Sequence, residues 1–245
     1  MNEGSVAGAH ARVDGARLLA RLHELGEIGA IPDTDGCARL ALTDEDRAGR
    51  DLVLSWMRDL GLDVAIDGIG NAIAVMPRPD GQPWTQPPVM TGSHIDTVAT
   101  GGRYDGNLGV LAGLEVVETA MAEIAAGRLS LDRPLAVAWF TDEEGARFPP
   151  DMLGSLVYVG GMALEQALDI TDRDGATVGD ELDRIGYRGT APIPGPAPHA
   201  FVELHIEQGP VLEDEGVTIG AVTGVQGISW TELTITGWSA HAGTT

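Results

Sequence analysis

The stretch Thr91 to Gly109 concentrates groups that bind cations. It holds His94, Asp96 and Asp105 among several glycines. Apolar Pro88-Val89-Met90 before it reads as the end of a buried strand, and Val110 to Val117 after it as a helix. Ligands of open α/β sheets gather outside the carboxyl ends of strands, so metal-capable side chains in such a turn mark a candidate site. Two more elements could complete it. Thr141-Asp142-Glu143-Glu144-Gly145 follows the continuous apolar run Leu135 to Phe140, and His205 follows a strand-like start at Ala200. A cooperating metal pair needs N and O ligands, with one carboxylate bridging ions roughly 3.5–4 Å apart. His94, Asp105, Glu143-Glu144 and His205 are of the right types. Neighbouring side chains on an extended strand face opposite ways. Glu143 and Glu144 can therefore fill two roles in one site only where strand gives way to loop, as Gly145 marks. Taken singly, a histidine at a strand end is more often structural and a Glu-Glu pair more often solvated surface. The signal is their joint position at predicted strand ends.

The elements that must position them follow from periodicity. Leu18, Leu19, Leu22 and Leu25 stand at helical spacing within residues 14–28. Thr43-Asp44-Glu45-Asp46 reads as a helix start, with acids favouring the positive end of the helix dipole; that helix stops near Gly61. Val64 to Ile66 and Asn71 to Met76 read as strands, about 107–126 as a helix, and Asp180 to Ile185 as another. Leu135 to Phe140 carries the continuous apolar signature of a strand buried on both faces. Alternating strands and helices give an α/β class: a mixed, largely parallel sheet flanked by helices. Prolines 192, 194, 196 and 198 mark a connector. From Gly216 the texture changes, and Val217 to Thr223 and Ser229 to Thr236 alternate as strands with one wet face. We therefore expect one α/β domain over 1–215 and the start of a new module over 216–245, in a sequence that reads as a fragment.

Composition narrows the function. The 245 residues, 43% of them hydrophobic, suffice for a real core. A net charge of −22 opposes nucleic acid and anionic membrane surfaces. All 15 basic residues are arginine, which removes Schiff-base lysine chemistry and the P-loop lysine. No apolar run of 18 residues exists, and no secretory signal is visible at the N-terminus. The single Cys37 allows no internal disulfide, and a cytoplasmic location is expected. His10, His23 and His199 have no motif around them.

At these residues the chain resembles a known family. His94-x-Asp96, Asp105-Gly106, Thr141-Asp142-Glu143-Glu144-Gly145-Ala146-Arg147-Phe148, Glu203-Leu204-His205-Ile206-Glu207-Gln208-Gly209-Pro210 and Gly237-x-x-x-His241-Ala242-Gly243 resemble the dinuclear-metal amidohydrolases of the M20 metallopeptidase superfamily. The nearest branch is the hydantoinase/carbamoylase group, with its N-carbamoyl-L-amino acid hydrolases, allantoate amidohydrolases and β-ureidopropionases. The resemblance runs from about residue 14 to the end. It implies that 1–215 is the catalytic metal-binding domain, incomplete at its C-terminal end, and 216–245 the start of a small α+β lid and dimerisation domain.

The resemblance implies the following roles. Asp105 bridges two divalent metal ions per subunit (Zn or Mn, with Co or Ni as alternatives). His94 and His205 bind one ion and Glu144 the other. Glu143 is the general base for a metal-activated water and then protonates the leaving nitrogen. Asp96 orients His94, the Asp105–Gly106 peptide is a candidate cis bond, and Gln208 contacts substrate. His241 is the lid histidine that reaches the partner subunit's site in a homodimer and stabilises the oxyanion. The substrate is a small ureido or carbamoyl compound, first an N-carbamoyl-L-amino acid, with allantoate as the alternative. An aminoacylase or dipeptidase is disfavoured by His205, and an inactive truncated product is the non-enzyme alternative. The family's remaining metal-ligand histidine and substrate-reading arginine fall beyond Thr245. The chain is thus expected to be C-terminally truncated and nearly inactive by itself.

Overall fold

The computed structural model describes residues 11–225 together with 227, 229, 231, 233, 234, 236–241 and 243. The chain divides into two compact units, Met1–Ile206 and Glu207–Thr245. The first holds the five strands found among the described residues. Helix α1 (Gly15–Glu27) starts where the Asp14 carboxylate accepts from the Ala16 and Arg17 N–H groups, and it buries Leu22 and Leu25. Helix α2 (Asp44–Asp59) is capped by the Thr43 hydroxyl, carries three acids in its first turn, and buries Val53, Leu54 and Met57. Strands β1 (Asp63–Ile66) and β2 (Ala72–Val75) form a hairpin. Then come β3 (Val89–Ser93), α3 (Asn107–Ala125) and β4 (Leu135–Trp139), followed by the short helices α4 (Leu153–Tyr158), α5 (Leu164–Leu168) and α6 (Val178–Ile185), and finally β5 (Ala200–Val202).

The sheet order is β1-β2-β4-β3-β5. The β1–β2 and β2–β4 pairs are antiparallel, whereas β3 pairs parallel with both β4 and β5. The sheet is mixed, and its parallel part comprises β4, β3 and β5. Ser93 stands opposite Trp139, so the residues after both strands leave the same edge.

Close packing fixes where those strands end. Glycines on α3 let it lie directly on the sheet: a Cβ at Gly113 would meet the Thr91 methyl at 2.7 Å. At Gly109 it would meet the Leu204 carbonyl at 2.6 Å and the Ser93 Cβ at 2.8 Å. Helices α1 and α3 are joined by the buried Glu115, which accepts from Arg17 Nε (2.8 Å), Arg17 Nη2 (2.7 Å) and the Asp14 N–H (2.7 Å).

In the second unit the only helix among the described residues is the one-turn α7 (Val211–Asp214). The strands expected over 217–223 are absent; those residues are irregular and exposed, as are the described residues of 229–236. A strand exists only where another takes up its N–H and C=O groups, and alternation alone supplies no partner. No helix of the described residues is long and apolar enough to cross a membrane.

Two outcomes test this framework. Gly109→Ala overpacks α3 against Ser93 and Leu204, which costs about 1–3 kcal/mol and lowers Tm by roughly 2–4 °C per kcal/mol; an unchanged Tm would refute the close approach. The second concerns Glu115. Burial opposes its charge, but the hydrogen bonds from Arg17, the Asp14 N–H and Thr119 outweigh it and hold the carboxyl below its usual range. A depressed folded pKa gives stability that is present above the unfolded value and lost as pH falls through the folded one. The Tm deficit of Glu115→Gln is therefore largest near pH 7 and shrinks below about pH 4; a deficit that does not change with pH contradicts the ion-pair account.

Candidate metal centre

His94 is the first residue off β3, and its ring is buried. Nδ1 lies 2.9 Å from the Asp96 carbonyl oxygen, which only accepts, so Nδ1 carries the proton and donates. That turns Nε2 toward the acidic groups, 3.7 Å from Asp105 Oδ1 and 3.4 Å from Glu143 Oε2. His205 repeats the arrangement. Its Nδ1 donates to the Ile206 carbonyl at 2.8 Å, and its Nε2 lies 3.2 Å from the same Asp105 oxygen. Two imidazoles thus present the same nitrogen to one carboxylate, with the tautomer of each set by a backbone carbonyl.

Asp105 is aimed by the turn that starts α3. The Asn107 N–H donates to the Asp105 carbonyl at 2.6 Å across Gly106, whose φ is 62° and ψ −48°, a tight γ-turn. A Cβ at Gly106 would lie 2.5 Å from His94 ring atoms, so the backbone rests on the imidazole face. The cis bond expected at Asp105–Gly106 is not found: among the described residues the cis bonds are Pro149–Pro150 and Ile193–Pro194. Glycine reaches positive φ at little steric cost, so the chain turns there without a costly cis peptide.

Beyond β4 the chain kinks twice in the left-handed region, at Asp142 (φ 53°) and Gly145 (φ 58°). Between the kinks Glu143 reaches His94 and Glu144 hydrogen-bonds Asp105. Asp96 stands behind them. Its carboxylate accepts from the Glu143 and Glu144 N–H groups, both at 3.3 Å, and lies 3.9 Å from His94 Nδ1. The His94 hydrogen bond runs to the Asp96 backbone, while the side chain holds the acidic loop. Ser93 and Glu203 add a tie that the sequence did not suggest: Ser93 Oγ donates to Glu203 Oε1 at 2.5 Å, joining β3 to the β5 segment just before His94 and His205. The available signal was alternation, since Glu203 and His205 share one face of an extended segment.

The electrostatics favour a cation. Burial works against a charge on His94, yet Asp105, Asp96 and Glu143 override it and push its pKa up to about 10. The facing His94 lowers Asp105. Burial raises Glu143, and raises Glu144 to about 7. Burial raises the adjoining Asp142 to about 9, with the Asp96 charge adding to it; neither Asp142 oxygen has a well-formed hydrogen bond, and the Phe148 N–H gives partial relief.

Donor atoms of His94, Asp105 and His205 all lie within 4.8 Å of one another. Bonds of about 2.0–2.2 Å to a shared ion fit that spacing, and N and O donors suit Zn or Mn. An ion would displace the proton that His94 otherwise holds. Gln208 (φ 54°) and His241 belong to the second unit, where His241 is exposed and its Nδ1 accepts from the Gly243 N–H at 3.1 Å. The cluster described here draws on the first unit. His10 lies outside the described residues.

Residues 90–243 match Peptidase family M20/M25/M40. The chain is 43% identical to an N-carbamoyl-L-amino-acid amidohydrolase of Rhizobium meliloti, over 97% of this chain and 55% of that protein. It is 34% identical to an allantoate deiminase of Arabidopsis thaliana, over 99% of this chain and 46% of that protein. Its fold matches the crystal structure of a hydantoinase/carbamoylase family amidase from Burkholderia ambifaria with a TM-score of 0.80 and 51% identity, covering 87% of this chain and 50% of that one. The chain spans about half the length of these relatives. The matched region includes the three strand ends that carry His94, Glu143-Glu144 and His205, and the chain belongs to the M20/M25/M40 peptidase family.

Proposed function

We propose that the protein carrying this chain is a metal-dependent amidohydrolase that cleaves the ureido C–N bond of N-carbamoyl-L-amino acids. The observation that carries this reading is the convergence of His94, Asp105 and His205, with Glu143 at 3.4 Å from His94 Nε2. His94, His205 and Asp105 would hold one divalent ion, and Glu144, beside Asp105, would serve a second. Bound there, divalent cations supply Lewis acidity that makes water more acidic and polarises a carbonyl.

Glu143 takes a proton from the attacking water as the new C–O bond forms, and passes it to the nitrogen as the C–N bond breaks. A carboxylate raised by burial suits both transfers. His241 donates to the oxyanion of the tetrahedral adduct, Gln208 contacts substrate, and the segment from Gly216 begins a lid through which two subunits pair. The buried lone Cys37 accords with a reducing cytoplasm. Allantoate is the second substrate reading, favoured by the similarity to the plant allantoate deiminase.

The test is a substrate panel of N-carbamoyl-L-amino acids, allantoate and β-ureidopropionate. Turnover is expected to disappear with chelator and return with Zn or Mn. Glu143→Gln retains bound metal and loses about 10²–10⁴-fold in kcat. Chelator-resistant turnover, or a Glu143→Gln variant as fast as wild type, sinks the mechanism; preference for allantoate reassigns the substrate.

A further inference from the structure

Arg39 makes side-chain hydrogen bonds to several separate segments, and its acceptors are neutral. It is completely buried. Nε donates to the Ile95 carbonyl at 2.8 Å; Nη1 donates to the Leu25 carbonyl at 2.9 Å and the Ile28 carbonyl at 2.7 Å, with Cys37 Sγ at 3.5 Å; Nη2 donates to Asn107 Oδ1 at 2.8 Å. A guanidinium taken out of water is costly to bury, and hydrogen bonds to carbonyls must compensate. The places it grips are informative. Ile95 lies between His94 and Asp96, and Asn107 lies two residues after Asp105. Leu25 and Ile28 sit at the C-terminal end of α1, which gives the clamp a fixed base.

The surroundings are shaped for this side chain. A Cβ at Gly49 on α2 would lie 2.9 Å from Arg39 Cδ, so the glycine makes room for the stem. The Arg39 backbone grips the same loop: its N–H donates to Thr97 Oγ1 at 2.8 Å, and its carbonyl accepts from the Thr97 N–H at 2.8 Å. Asn107 is held from its other side, where Nδ2 donates to the Arg103 carbonyl at 3.2 Å. Only a rigid planar fork makes bonds in several set directions at once; a lysine ammonium on a flexible stem does not.

We propose that Arg39 is a positioning residue, a yoke that fixes the spacing of the His94 loop and the Asp105 turn so that both present their donors to one divalent cation. This rests on reading His94, Asp105 and His205 as metal ligands.

The probe is Co²⁺, followed by affinity and by its visible absorption bands, which report ligand geometry. Four proteins are compared at equal folded fraction: wild type, Arg39→Lys, Asn107→Ala, which removes one arm only, and Leu54→Ala, a core truncation away from these loops. Loss of outer hydrogen-bonding partners of a metal site typically costs about 10–100-fold in affinity. Asn107→Ala is expected to weaken Co²⁺ by that factor and to shift its bands, while Leu54→Ala keeps both despite a lower Tm. Arg39→Lys, if folded, shows at least the Asn107→Ala loss; if it does not fold, Asn107→Ala decides. Wild-type affinity and bands in Asn107→Ala overturn the yoke alone, as does an equal loss in Leu54→Ala. Failure of wild type to take up Co²⁺ overturns the metal-ligand reading and the yoke with it.

Discussion

The parallel pairing of Val89–Ser93 with Leu135–Trp139 governs where the chemistry stands. With Ser93 opposite Trp139, His94 and the Asp142–Gly145 turn leave the sheet at one level and on one edge. An antiparallel pair would send them to opposite ends. β5 joins β3 in the same sense, which brings His205 to that edge too. Parallel strands need covered faces and long crossovers. The apolar helix α3 supplies the crossover and covers one face, and Asp105 stands just before its N-cap Gly106.

Charge balance sets the second constraint. Asp96, Asp105, Glu143 and Glu144 surround two imidazoles, and the field raises His94 while burial raises the glutamates. A set of like charges close together cannot all ionise without a cation among them. The arrangement is held by neutral backbone: carbonyls fix both histidine tautomers, and two N–H groups fix Asp96. Rigidity and charge are thus supplied by different groups.

The arginines show how a lysine-free chain manages buried cations. Arg50 pairs with Asp46 at 2.8 Å, donates to the Gly70 carbonyl at 2.8 Å and stacks over Tyr187. Arg147 ties the segment just after the acidic turn to Asp172, Glu181 and the Ala41 carbonyl. Planar forks with several donors suit such multi-way joints better than point charges do.

The amino-acid sequence by itself determined most of the elements and the candidate side chains. Apolar periodicity marked α1, α2, α3 and the buried β4, since burial of one face is a local pattern repeated at a fixed interval. His94, Asp105, Glu143, Glu144 and His205 were legible as candidates because side chains of metal-binding type stood in the segments after predicted strands. Three things were decided only in three dimensions. Strand direction and register belong to pairing between distant segments, and so does the absence of strands at 217–223, where alternation met no partner. The turn at Asp105 is made by the φ of Gly106 against the His94 ring, a contact between residues twelve apart. Arg39 sits in a segment that reads as loop, and its role comes from acceptors on α1, the His94 loop and α3, which no spacing rule connects. Sequence patterns record which side of an element is buried; the distances that make a metal site are set by what the rest of the chain packs against it.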